Sequence, residues 1–139
     1  MSTPTTKTVN RLLWTAQGLT AALFLFAGSM KFIIPADKMQ MGSLALPIPF
    51  IQFIGLCECL GALGLVLPGV LRIRTALTPL AAAGLTIIMV GATTVSVLAL
   101  GAASAILPAV VGVVTAGIAY GRSRVVPLAE APSHHLRTA

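Results

Sequence analysis

Residues Phe50 to Gly69 read FIQFIGLCECLGALGLVLPG, an apolar run interrupted by Gln52 and by one carboxylate, Glu58, near its middle. A helix needs about 20 apolar residues to cross the hydrocarbon of a bilayer, and this run supplies them. A carboxylate at that depth is costly, so it marks a functional site whose partner must come from elsewhere in the chain. The remaining sequence is therefore read for the spans that surround Glu58 and for a cation that can meet it.

The composition agrees with that setting. Of 139 residues, 57% are hydrophobic and 9% are charged, and the mean hydropathy is +0.99. A soluble domain carries roughly 25% charged residues, so this chain has too little polar surface to face water and takes lipid as its solvent. Its length suits one compact unit. The net charge of +6 comes from basic residues scattered singly and in pairs between apolar runs. That distribution flanks membrane spans and excludes nucleic acid as a partner. Cys57 and Cys59 would point about 200° apart on a helix, so they read as two small apolar residues in a packed span rather than as a disulfide.

On the N-terminal side of the central run, Pro35–Pro49 (PADKMQMGSLALPIP) is a break containing Asp37, Lys38 and three prolines. Its middle reads either as a short interfacial helix, with Met39, Met41, Leu44 and Leu46 in the membrane surface, or as a plain loop. Before it, Arg11–Ile34 is a second apolar run with Trp14 near its start, where an amphipathic ring suits the headgroup level. A cleaved signal peptide is the competing reading, but the apolar stretch exceeds the usual core of about 7–15 residues. Met1–Asn10, polar and Thr-rich, reads as a loose tail. On the C-terminal side, Arg72 and Arg74 occupy a tight turn before a third run that tolerates Pro79 in its first turn. Gly101–Ser104 is a short uncharged turn, and a fourth run follows, with Pro108 near its start.

The expected organisation is a tail at 1–10, a membrane bundle at 11–121 and a polar tail at 122–139 that holds His134 and His135. The spans fall at about 11–34, 48–70, 77–100 and 105–121. The fold class is all-α, an integral membrane four-helix bundle. Four spans put Lys7, Arg11, Arg72, Arg74, Arg122, Arg124 and Arg137 on one side and leave Lys31 and Lys38 on the other. This bias predicts a multi-pass protein of the cell membrane with both termini in the cytoplasm.

Polar and small residues then define inward faces. At about 100° per residue, Gln17, Ala21, Phe24, Gly28 and Lys31 fall on one stripe of the first span. Gln52, Gly55, Glu58, Cys59 and Ala62 share a face of the second, with Cys57 opposite. Thr86, Thr93 and Ser96 lie near one another on the third, where each hydroxyl can also bond its own helix backbone. Gly112, Ala116, Gly117 and Gly121 recur along the fourth. Lys31 either bends inward to pair with Glu58 or snorkels to the interface.

With these residues in place, the chain resembles the DoxX-like small integral membrane proteins over roughly Leu13 to Leu98. The resemblance rests on Gly28-x-x-Lys31-Phe32, on Gly55-x-x-Glu58-x-x-Gly61, on Leu63-Gly64-Leu65-Val66-Leu67-Pro68 and on Gly91-Ala92. It implies a four-helix bundle and carries the family's glutamate to Glu58 and its lysine to Lys31. Thr93, Thr94 and Ser96 stand where relatives often have a histidine or similar polar group. The broader group includes the small subunit of a thiosulfate:quinone oxidoreductase, partners of redox enzymes, and a chaperone for ion-channel assembly.

Two functional expectations follow. In the first, the protein is a membrane subunit or small enzyme of redox metabolism that handles a quinone or another lipophilic molecule. Glu58 and Lys31 are its candidate catalytic residues; Gln17, Gln52, Gly55, Thr86 and Thr93 would contact the substrate; no metal site is expected. In the second, it is a non-catalytic accessory protein that stabilises a larger membrane partner. Both expect the bilayer as surroundings and a membrane protein or a further copy of the chain as company. Passage of ions or small solutes ranks below both, because Glu58 is its sole support.

Overall fold

Four helices carry the chain back and forth: α1 (Pro4–Ile33), α2 (Ile48–Leu71), α3 (Leu77–Leu100) and α4 (Ile106–Tyr120). The computed structural model describes residues 4–35, 38 and 44–130. The interfacial helix or loop expected in the middle of Pro35–Pro49 falls on residues 36–37 and 39–43, which lie outside those described. Each of the four helices is long and apolar enough to cross a membrane, the last one counted with its flanking turns as Ala102–Val125. The architecture is an all-α membrane bundle.

The first helix starts at Pro4, earlier than the expected Arg11. Proline suits a first helical turn because the donor it lacks is unpaired there in any helix. Asn10 is then held by a bond from Arg122, just past the end of α4, so the opening turns gain a tertiary contact that their polar composition does not announce. At 30 residues, α1 is about 45 Å long, more than a hydrocarbon core of about 30 Å, so it can project beyond the membrane.

Helix α2 ends in a sharp turn in which Arg72 and Arg74 adopt positive φ angles of 55° and 47°. The Arg72 amide bonds back to Pro68 O, which supplies one of the last carbonyls with a donor. Gly101, with φ 94°, stops α3 in a conformation that few other residues reach. A 3-10 turn (Ala102–Ala105) then leads into α4. Beyond Tyr120 the chain keeps winding as a wider π turn, Gly121–Val125. Residues 122–125 therefore belong to the bundle rather than to the expected C-terminal tail.

Small residues set how the helices cross. A methyl group added at Gly28 would lie 2.7 Å from Gly55 O and 2.7 Å from Cys59 Sγ, so α1 and α2 meet backbone to backbone. Gly61 and Gly64 of α2 receive Leu85 and Ala81 of α3, and Gly112 of α4 receives Met89. Gly121 rests on Leu13 and Gly69 on Trp14, which closes the bundle between α1 and its neighbours. Every one of these pairs is antiparallel. Phe24, Leu65, Leu85 and Ile118 fill the centre, each 2% exposed or less. Large apolar side chains also face outward, including Leu19, Ile87 and Val113 at 70% or more. In water such a surface would drive association, whereas in a bilayer it meets acyl chains.

Candidate functional site

Lys31 and Glu58 come from facing helices one turn away from the Gly28–Gly55 crossing. Because those glycines let the backbones touch, the two side chains converge, with Lys31 Nζ 2.5 Å from Glu58 Oε2. Lys31 Nζ also donates to Ala27 O at 3.4 Å. The Glu58 side chain is 4% exposed and that of Lys31 is 27% exposed, so the lysine forms the accessible edge of the pair. An ammonium has three protons, and these two acceptors leave one for another partner. Glu58 Oε1 makes no hydrogen bond to the described residues.

The pair forms the polar end of a cavity of about 420 Å³ between α2 and α3. Its walls include Leu46, Phe50, Ile54, Ile88 and Val95, and Ser96 adds a hydroxyl-bearing residue. Gly91 and Ala92 line the α3 wall, where their small side chains leave room. The volume fits the range of small-molecule sites, about 300–1,000 Å³, and the mostly apolar lining with a few convergent polar groups has the usual character of such sites.

The other residues singled out from sequence lie elsewhere. Gly55 packs against Gly28 O and the Lys31 Cβ, so it positions the pair without lining the cavity. Gln52, half-buried, is outside the lining as well. Thr86 Oγ1 lies 2.8 Å from Ala82 O and 2.9 Å from Thr115 Oγ1, between α3 and α4. Thr93 donates to Met89 O, in its own helix, and lines a second, more open groove on the α3–α4 side. These two threonines turn away from Glu58. Cys59 packs against Gly28, and both cysteines are free thiols.

Gln17 is the clearest departure. It is fully buried, but it donates to Leu65 O at 2.5 Å and accepts from Arg122 Nε at 2.6 Å. Fourteen residues separate it from Lys31, about 21 Å along α1, so it belongs to a different polar centre. By sequence Arg122 reads as a charge flanking the fourth span, yet the residue is 2% exposed. Its spacing from Thr115 and Ile118, both buried, puts it on the same face of α4, and that was the available signal. Periodicity puts Ser96 among the polar residues of α3 without marking it as a site residue; it is the α3 polar residue that reaches the cavity.

The DoxX-like family matches the chain over residues 15–118, which includes Lys31, Glu58 and the α3 wall of the cavity. No curated protein and no solved structure matches the chain.

Proposed function

The chain belongs to the DoxX-like family, and from that premise we propose that it binds a lipophilic small molecule in the membrane, with the polar head of that molecule at the Lys31–Glu58 pair. The observation that carries this reading is the apolar cavity ending on a single ion pair. Lys31 Nζ has a proton to give to a carbonyl oxygen, and Glu58 Oε1 can accept from a hydroxyl. A quinone presents the first group and its reduced form the second, while an isoprenoid tail suits walls such as Phe50, Phe53 and Ile54. In a redox role, quinone reduction takes two electrons and two protons. The electrons come from a partner redox protein; Lys31 gives one proton to the quinone oxygen beside it, and water supplies the second proton and reprotonates Lys31.

The test is equilibrium binding of a short-chain quinone to the purified protein in lipid nanodiscs. Saturable binding that is lost in Glu58→Gln and Lys31→Met supports the reading. Binding no different from that of empty nanodiscs would end it. An accessory role has its own support in the groove of about 390 Å³ between α3 and α4, where the small side chains of Ala109 and Ala116 leave space for a foreign helix. Crosslinking in native membranes separates the readings: an accessory protein yields one dominant protein partner and no quinone dependence.

A further inference from the structure

The second polar centre, at the end of the bundle that holds Asn10 and the α2–α3 turn, contains a buried cation with neutral partners. Arg122 Nη1 donates to Asn10 Oδ1 at 2.7 Å and to Val126 O at 3.3 Å, and Nε donates to Gln17 Oε1. The guanidinium carbon lies 5.3 Å from the Trp14 ring centroid. Nη2 is buried with no hydrogen-bond partner. Among the described residues no carboxylate lies within ion-pair distance of Arg122; the salt bridge they form is Lys31–Glu58, at the other centre.

A guanidinium has five N–H donors, and the bonds above use three. Both protons of Nη2 remain, carried by a full charge inside a membrane protein, where a lone charge is costly. Thr78 Oγ1 is likewise buried and without a partner. The α3–α4 register, set by Thr86 opposite Thr115 and Met89 opposite Gly112, puts Thr78 level with residues 122–123. Exposed Arg11, Arg72, Arg74 and Arg124 sit at the same end and make its surface cationic. We propose that this centre binds a phosphate oxyanion on Arg122 Nη2 and Thr78, the phosphate belonging to an anionic phospholipid headgroup or to free phosphate. An oxyanion suits the planar fork of arginine, and basic sites between spans bind anionic headgroups in this way. Val126 O accepts from Nη1 of the same guanidinium, so the segment Val126–Glu130 shifts when the anion enters. Leu128 O and the Glu130 carboxylate each accept from Thr75, which tethers that segment.

Native mass spectrometry of the delipidated protein tests this with three additions: phosphatidylglycerol, phosphatidylcholine and inorganic phosphate. Expected is retention of phosphatidylglycerol over phosphatidylcholine, weakened at least about tenfold in Arg122→Gln, because charge-assisted bonds are lost. Arg122→Lys keeps the charge and loses the fork, and retention falls to an intermediate level. Displacement of the lipid by inorganic phosphate, or a phosphate adduct alone, assigns the site to free phosphate. If Arg122→Gln fails to fold, the wild-type comparison still decides. Equal retention of the two lipids together with no phosphate adduct overturns the proposal, as does anionic-lipid retention undiminished in a folded Arg122→Gln protein.

Discussion

Lys31 and Glu58 show what a single pair of residues does in lipid. Glu58 was legible from sequence because a carboxylate inside an apolar run has few uses there. Sequence leaves Lys31 free either to bend inward or to snorkel to the interface, and the Gly28–Gly55 contact is what draws it inward. Glu58→Gln keeps the shape and the acceptor oxygen, so it should fold with a melting temperature near that of the native chain while losing ligand binding. Lys31→Met leaves Glu58 buried without its cation. Breaking such a pair costs about 3–5 kcal/mol, and the lower end is expected because Lys31 is partly exposed. Thermal unfolding of the two variants in one detergent, alongside binding, checks both. Equal destabilisation by the two would mean that the charge on Glu58, rather than its hydrogen bond, holds the helices. Arg122 was less legible. It lies past the end of its apolar run, and its burial depends on Asn10 and Gln17 of α1, a contact that local periodicity does not encode.

At the scale of the helices, periodicity identified which residues face inward but not which neighbour each face meets. Thr86 and Thr93 share α3 with Ser96, yet the first two turn to α4 and the third to the cavity beside α2. A helix packed between two others has two interior faces, and spacing alone does not tell them apart. The glycines make the crossing testable. Gly28→Ala puts a methyl group against Gly55 O, a backbone atom that cannot swing aside, and should cost about 1–3 kcal/mol of overpacking. Gly84→Ala meets nothing within 4 Å and should be neutral or stabilising by up to about 1 kcal/mol, the helix-propensity gain. Equal melting temperatures for the two variants would argue against the α1–α2 contact. The helical course of α2 makes a separate prediction. Cys57 and Cys59 should stay free thiols in oxidising buffer, and an intact-mass loss matching a bridge between them would show that the helix is broken there.

The whole molecule follows an alternating path, so its turns fall on two sides. Cysteine-accessibility labelling should find substituted Thr5 and Arg74 on one face of the membrane and Gly101 on the other. Thr5 and Arg74 on opposite faces would contradict four spans. The basic bias predicts that the Arg74 side is cytoplasmic. The bundle then has two polar centres, the Lys31–Glu58 pair at one level and Arg122 near the other end, joined by a core of Phe24, Leu65, Leu85 and Ile118. The number of spans and the membrane setting were plain in the composition. The division into two centres was not, because it arises from the register between helices distant in sequence. The central claim is that the cavity ending on Lys31–Glu58 takes a lipophilic ligand, and a photoactivatable short-chain quinone mapped by peptide mass spectrometry tests it most directly. Labelling is expected on cavity residues such as Phe50, Ile54, Ile88 and Val95, competed by unlabelled quinone and lost in Glu58→Gln. Labels spread over outward-facing residues such as Leu19, Ile87 and Val113, unchanged by competitor or by the variant, would contradict the account.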